Sequence, residues 1–192
     1  MRKIEVISTS RMERKGDSSL KAQEMLTLIH QAQENGNKVI LAAIAIERQI
    51  DWIIQSKLFP ENELRLSFFT NHVLNSESFN FSFKRKLILQ IIKDHSLLSG
   101  GENNSFTKIL SDIITWRNAF AHGQMVQKGD ETFIGFSKSG PSELLLSDDF
   151  WSTVEKTFED AYTILQIINL RFNSVSKDTS QPNAKWPPTN NV

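Results

Sequence analysis

The stretch ITWRNAFAHGQM, residues 114 to 125, sets an arginine, an asparagine and a histidine within six positions. Arg117 supplies a permanent planar cation that can grip two oxygens of a phosphate at once. His122 supplies a group that accepts and returns protons near neutral pH. Asn118 supplies an amide able to orient either one. Together they suit a phosphodiester. RNA carries its own nucleophile, the 2′-hydroxyl, so its transesterification needs no metal. The protein must help activate that hydroxyl, stabilise the charge of the pentacoordinate phosphorus and protonate the leaving oxygen.

The element holding these residues is a periodic helix, NSFTKILSDIITWRNAFA. At about 100° per residue, Phe106, Ile109, Leu110, Ile113 and Phe120 share one face, and Arg117 falls in its middle, where a leucine is expected. An unpaired guanidinium is costly to bury and cannot simply deprotonate. Arg117 therefore needs a buried partner, or the face opens there to a cleft or a subunit boundary. His122 lies about 140° from Arg117 if the helix continues, but Gly123 is expected to end it. A purely structural reading competes with the catalytic one. A histidine at a helix end offsets the negative end of the dipole, and Arg117 can pair with Glu47 or Asp51.

The other elements form a scaffold around this helix. DSSLKAQEMLTLIHQAQENG reads as a first helix, capped by Asp17 or Ser18 and stopped by Gly36. NKVILAAIAIERQIDWIIQSKLF reads as a second, apolar almost all round and so central in a bundle. PENELRLSFFTNHVL, opened by Pro60, is a shorter third. SFKRKLILQIIKDHSLL is another, capped by Ser82 and ended by SGGEN. After His122 the pattern changes, and ETFIGF and SELLL pair as a hairpin through SKSGP. From Asp148, Trp151, Val154, Phe158, Ala161, Leu165, Ile168 and Phe172 recur at threes and fours, the stripe of a long bundle helix. The reading is all-α: a bundle of five or six helices with one small β-hairpin before the last long helix. Residues 1–17 form an N-terminal segment, 18–172 the helical domain, and 173–192 a flexible tail.

Composition narrows the function classes. The 192 residues suit one domain, and 22 basic against 22 acidic side chains leave no net charge. A broad nucleic-acid surface would usually show excess positive charge, while the balance still allows a short single strand in a local groove. With no cysteine, disulfides, thiolate metal sites and cysteine nucleophiles are excluded. The first residues have no apolar run, and no segment is long and apolar enough to span a bilayer, so neither a leader peptide nor a membrane span is expected. His30, His72 and His95 are scattered and no HExxH spacing occurs, so no metal site and no cofactor are expected. Lys84, Arg85 and Lys86 are candidate contacts to RNA phosphates, although a basic run at a helix start is commonly just solvated. Trp116 can stack a base or pack in the core. NAKWPP, near the end, is a candidate docking segment.

Arg117-Asn118-Ala119-Phe120-Ala121-His122 resembles the Arg-x4-6-His motif of the HEPN superfamily, in the form with a polar residue directly after the arginine. AAIAIERQIDWII resembles the earlier HEPN helix that carries an acidic residue near the site, with Glu47 the better match and Asp51 the next. The resemblance implies a HEPN-like helical bundle whose motif ends a core helix, followed by a loop or hairpin and the last long helix. It also implies a cytoplasmic, metal-independent endoribonuclease cleaving single-stranded RNA, of the kind found as toxins of toxin–antitoxin pairs or as anti-phage effectors. Arg117, His122, Asn118 and Glu47 would be the catalytic set, in a cleft formed by two copies of the motif across a homodimer. An antitoxin or other protein partner would fit. Other members have lost catalysis and act as dimerisation or adaptor modules, which is the alternative for this chain.

Overall fold

The computed structural model describes residues 18–59, 63–137 and 140–178. It is mostly helical, with five α-helices and a small sheet: α1 (Ser18–Leu58), α2 (Glu63–Phe69) with a π-helical turn Thr70–Leu74, α3 (Phe81–Asp94), α4 (Gly100–His122), β1 (Gln124–Lys128), β2 (Glu131–Ser137), β3 (Pro141–Leu145) and α5 (Asp148–Asp178).

The two helices expected around Gly36 are one helix, α1, of 41 residues. A lone glycine weakens a helix by only about 1 kcal/mol, and here packing overrides it. Ala32, Gly36, Val39, Ala43, Ile46, Ile50 and Ile53 are all buried and alternate by fours and threes, so Gly36 sits on an unbroken core stripe. The absent side chain makes room for the Phe120 ring of α4. A Cβ on Gly36 would stand 2.6 Å from Phe120 Cδ1.

Two helix signals also move. α3 is capped by Asn80, whose side chain accepts from the Phe83 N–H, and not by Ser82. SGGEN opens α4 instead of closing α3. Ser99 and Glu102 form a reciprocal capping box, with the Ser99 N–H donating to Glu102 Oε2 at 2.7 Å. Such a box outweighs two glycines in the first turn, where few helical bonds depend on them. Asp17 and Pro60, the other expected boundary residues, lie outside the described residues, as do segment 1–17 and NAKWPP. The last helix runs to Asp178, so residues 173–178 of the expected tail are helical; the rest of that segment lies outside the described residues.

The expected hairpin is two strands of a three-stranded antiparallel meander in the order β1-β2-β3. β2 pairs β3 with Phe133 opposite Leu145 and Ser137 opposite Pro141. The additional strand, QMVQK, has little apolar content. It pairs with β2 through a two-residue turn in which Gly129 has φ 63°, the left-handed conformation that glycine adopts without strain. Only Ile134 is buried among the strand residues, and the sheet meets the bundle where β2 contacts α4.

The main core draws Ile46, Ile50 and Ile54 of α1, Ile88 and Ile92 of α3, Phe106, Leu110 and Ile113 of α4, and Ala161, Leu165 and Ile168 of α5. A smaller cluster lies at the sheet end: Val39, Trp116 and Val154, flanked by Phe120, Phe150 and Trp151. The α5 stripe follows its expected periodicity, with Val154, Ala161, Leu165, Ile168 and Phe172 buried. Among the described residues, no helix is long and apolar enough to cross a membrane.

Candidate functional site at the sheet end of α4

The second cluster decides where the motif residues point. Over its first half α4 buries Phe106, Leu110 and Ile113, and then its buried side turns to Trp116 and Ala119. Trp116 packs edge-on against Phe150 at 5.8 Å. Phe120 stacks on Trp151 at 5.6 Å between centroids. These aromatic contacts draw the buried stripe round the helix and leave Arg117 half-buried at its margin. The face therefore opens at Arg117. Of the two readings of Trp116, base platform or core residue, the second holds: it is 8% exposed.

Arg117 makes no ion pair among the described residues. Its Nη1 donates to Oδ1 of the neighbouring Asn118 at 3.3 Å, on the exposed side. Asn118 and His122 are exposed. His122 is the last residue of α4, which Gly123 closes. A side chain on Gly123 would collide with the Ala119 carbonyl and with β2 at Gly135 and Ile134, so the sheet joins the helix too closely for any other residue.

Glu47 and Asp51 do not reach Arg117. Both bind Lys84: its Nζ lies 2.8 Å from Glu47 Oε1 and 2.8 Å from Asp51 Oδ2. Lys84 is 5% exposed, so it is not part of a basic surface run. Burial opposes its charge, but the hydrogen bonds to Asp51 and Glu47 outweigh that, and the ammonium keeps its proton above the usual lysine range. Burial pushes the Asp51 carboxyl up, and Lys84 offsets this only in part. Asp51 Oδ1 is buried with no hydrogen-bond partner. These three residues pin α3 to α1. Lys86 is exposed and Arg85 half-buried, so the three basic residues of the run have three different environments.

Arg85 faces the motif helix. A groove of about 280 Å³ lies between α3, α4 and β2. α3 contributes Ser82 and Arg85, α4 contributes Ser111, Ile114, Thr115 and Asn118, and β2 contributes Phe136 and Ser137. Ser111, Thr115 and Asn118 follow at four and three along α4, and four more residues lead to His122, so the histidine continues the same stripe. The groove thus joins one amide and several hydroxyls to one guanidinium, with no carboxylate in its wall. Larger concavities follow the α1–α5 seam near Trp52, Tyr162 and Phe172; one of them gathers Arg48 with Gln49, Gln166 and Asn169, but none includes a residue of the Arg117–His122 motif.

Ser82, Ser111, Thr115 and Ser137 were absent from the candidate residues. A single hydroxyl carries no signal in a sequence, and only the i, i+4, i+7 spacing of Ser111, Thr115 and Asn118 pointed to a shared face. Among the described residues, no three histidine, aspartate or glutamate side chains gather where they could hold a metal ion. Compared with family models, with curated proteins and with solved structures, the chain matches none.

Proposed function

We propose that this chain is a HEPN-like, metal-independent endoribonuclease that cleaves single-stranded RNA in the cytoplasm as a homodimer, serving as a toxin or an anti-phage effector. The observation that carries the proposal is the state of the motif. Among the described residues Arg117 has no carboxylate partner, it is tied to Asn118, and His122 stands exposed one turn further along. A purely structural arginine at the edge of a core would be expected to hold an acidic partner. The order of elements supports the same reading: a core helix ends in the motif, and a small sheet and a last long helix follow. The three-stranded sheet departs from the simple hairpin that the resemblance implies.

In this reading the 2′-oxygen attacks phosphorus and loses its proton while the bond from phosphorus to the 5′-oxygen breaks and that oxygen gains one. The products are a 2′,3′-cyclic phosphate and a 5′-hydroxyl. Arg117 stabilises the charge on the phosphoryl oxygens, His122 moves a proton, and Asn118 holds the guanidinium in place. Glu47 acts only at a distance, by fixing α3 against α1 through Lys84.

The test is cleavage of a labelled single-stranded RNA in excess EDTA, beside a DNA of the same sequence. RNA should be cut and DNA spared. His122→Ala should lower the rate by about 10²–10⁴-fold with helix content unchanged. A parent that cuts no RNA, alone or freed from a bound partner, would replace this reading with the adaptor one.

A further inference from the structure

We propose that the groove between α3, α4 and β2 is a phosphate subsite for a single RNA strand, with Arg85 as its cation. This deepens the ribonuclease reading and rests on it for the identity of the strand.

The argument begins with Arg85 itself. Among the described residues its buried Nε has no hydrogen-bond partner and its guanidinium makes no ion pair. Lys84, its neighbour in sequence, is the residue that holds Glu47 and Asp51. Arg85 instead lines a cavity whose wall has no carboxylate. A guanidinium in that state calls for an anion from outside, and its planar fork matches a phosphate.

The wall fits the same ligand. Ser82, Ser111, Thr115 and Ser137 are short hydroxyl side chains that can donate to phosphate oxygens. Thr115 Oγ1 already donates to the Ser111 carbonyl at 2.8 Å, which leaves the other three as the candidate donors. Ser82 lies in the first turn of α3, so the positive end of that helix dipole adds to the arginine. Phe136 is two residues from the buried Ile134 and shares its helix-facing side of β2, where it walls the groove with a ring that can lie against a base or sugar. Asn118 belongs both to the groove and to the Arg117 pair. A strand held at Arg85 therefore passes beside the proposed scissile position.

Binding is tested apart from cleavage with a single-stranded 2′-O-methyl RNA, which lacks the nucleophile, by fluorescence anisotropy across a salt series on the full chain. Arg85→Met should weaken binding about 10- to 100-fold, the range for losing a charge-assisted contact. It should also lower the slope of log affinity against log salt by about 1. Its thermal midpoint should not fall, because the substitution removes a half-buried cation whose Nε is buried without a partner; a purely structural arginine would lose midpoint without the change in slope. Ser137→Asp, at an exposed position on the groove rim, should also weaken binding and leaves the Arg85 packing untouched. Parental affinity and slope in both variants would overturn the subsite. So would Arg85-dependent binding of inorganic phosphate with none of the oligonucleotide. If the oligonucleotide binds through Arg85 but unmodified RNA is not cut, the cleavage reading fails and the subsite stands. If RNA is cut with unchanged KM in Arg85→Met, the subsite fails and the cleavage reading stands.

Discussion

The ring of Phe120 lies against the backbone of Gly36, so close that a Cβ on that glycine would stand 2.6 Å from Cδ1 and 3.2 Å from Cε1. Phe120 is the middle of the Arg117–His122 stretch, and Gly36 is the middle of α1. The end of α4 that carries the motif is therefore seated through a contact only glycine permits, with Trp151 stacked on the same ring.

Gly36→Ala should destabilise the protein by about 1–3 kcal/mol, the usual cost of overpacking, even though alanine is the better helix former by about 1 kcal/mol. In a Phe120→Leu background the sign should reverse, since the clash goes and the propensity gain remains. Chemical denaturation of the four proteins of this cycle checks it. A Gly36→Ala variant as stable as the parent would mean the ring moves aside freely.

Lys84→Met should be destabilising, by about 3 kcal/mol, because it removes the buried cation and leaves the half-buried Glu47 and Asp51 without it. Lys86→Met, two residues on and exposed, should change stability by less than about 0.5 kcal/mol. Adding Glu47→Gln and Asp51→Asn to Lys84→Met should recover much of the loss. Equal effects at positions 84 and 86 would contradict a buried Lys84 held by the two carboxylates.

Acid dependence should trace to the pair between Glu102 and Arg171. The two oxygens of Glu102 accept from Arg171 Nη1 at 3.1 Å and Nη2 at 3.2 Å, while Nη1 also donates to the Leu97 carbonyl at 2.8 Å. The Arg171 hydrogen bonds, with those from Ser99, lower the Glu102 pKa from 4.5 to about 2. The folded state thus binds the proton less readily than the unfolded chain. Its contribution is complete above the ordinary value of 4.5 and is lost as pH falls through about 2. Glu102→Gln should melt below the parent at neutral pH, and the two midpoints should converge as the pH approaches 2. A gap that stays constant across that window would show that the carboxylate charge contributes nothing.

Assembly gives the fourth prediction. Arg117 is half-buried with no acidic partner among the described residues, as expected if a second copy completes the cleft, so the ends of the two α4 helices, at His122, should meet near a two-fold axis. Light scattering should return about twice the 22.0 kDa chain mass. A monomer at about 50 µM, well above the dissociation constant of a specific dimer of micromolar affinity, would rule out a shared site.

Local chemistry made much of this legible in advance. The α5 stripe from Val154 to Phe172 is a run of threes and fours that no other element could bury. The change to β-structure after His122 followed from Gly123 and from the alternation around Ile134. The 4-3 stripe through Ala32, Gly36 and Val39 was also present, but glycine's reputation as a stop signal hid it. The Ser99–Glu102 capping box was hidden in the same way by Gly100 and Gly101. In each case a weak local preference of about 1 kcal/mol lost to packing or to a paired cap. β1 was missed because QMVQK gains strand structure only from the ladder that β2 offers it.

What the sequence determined by itself is the set of chemical groups and the helical spacing that puts Ser111, Thr115, Asn118 and His122 on one stripe. Which way that stripe faces was decided by the tertiary structure. Phe150 and Trp151 draw Trp116 and Phe120 into a second cluster, and this rotation leaves Arg117 at the margin instead of in the core. The choice among cations was also tertiary. Glu47 and Asp51 lie more than thirty residues before Lys84, and only the packing of α3 on α1 determines that they meet this lysine and not Arg85 or Arg117. Side-chain type and spacing are local properties; the pairing of charges depends on which surfaces are brought together away from water.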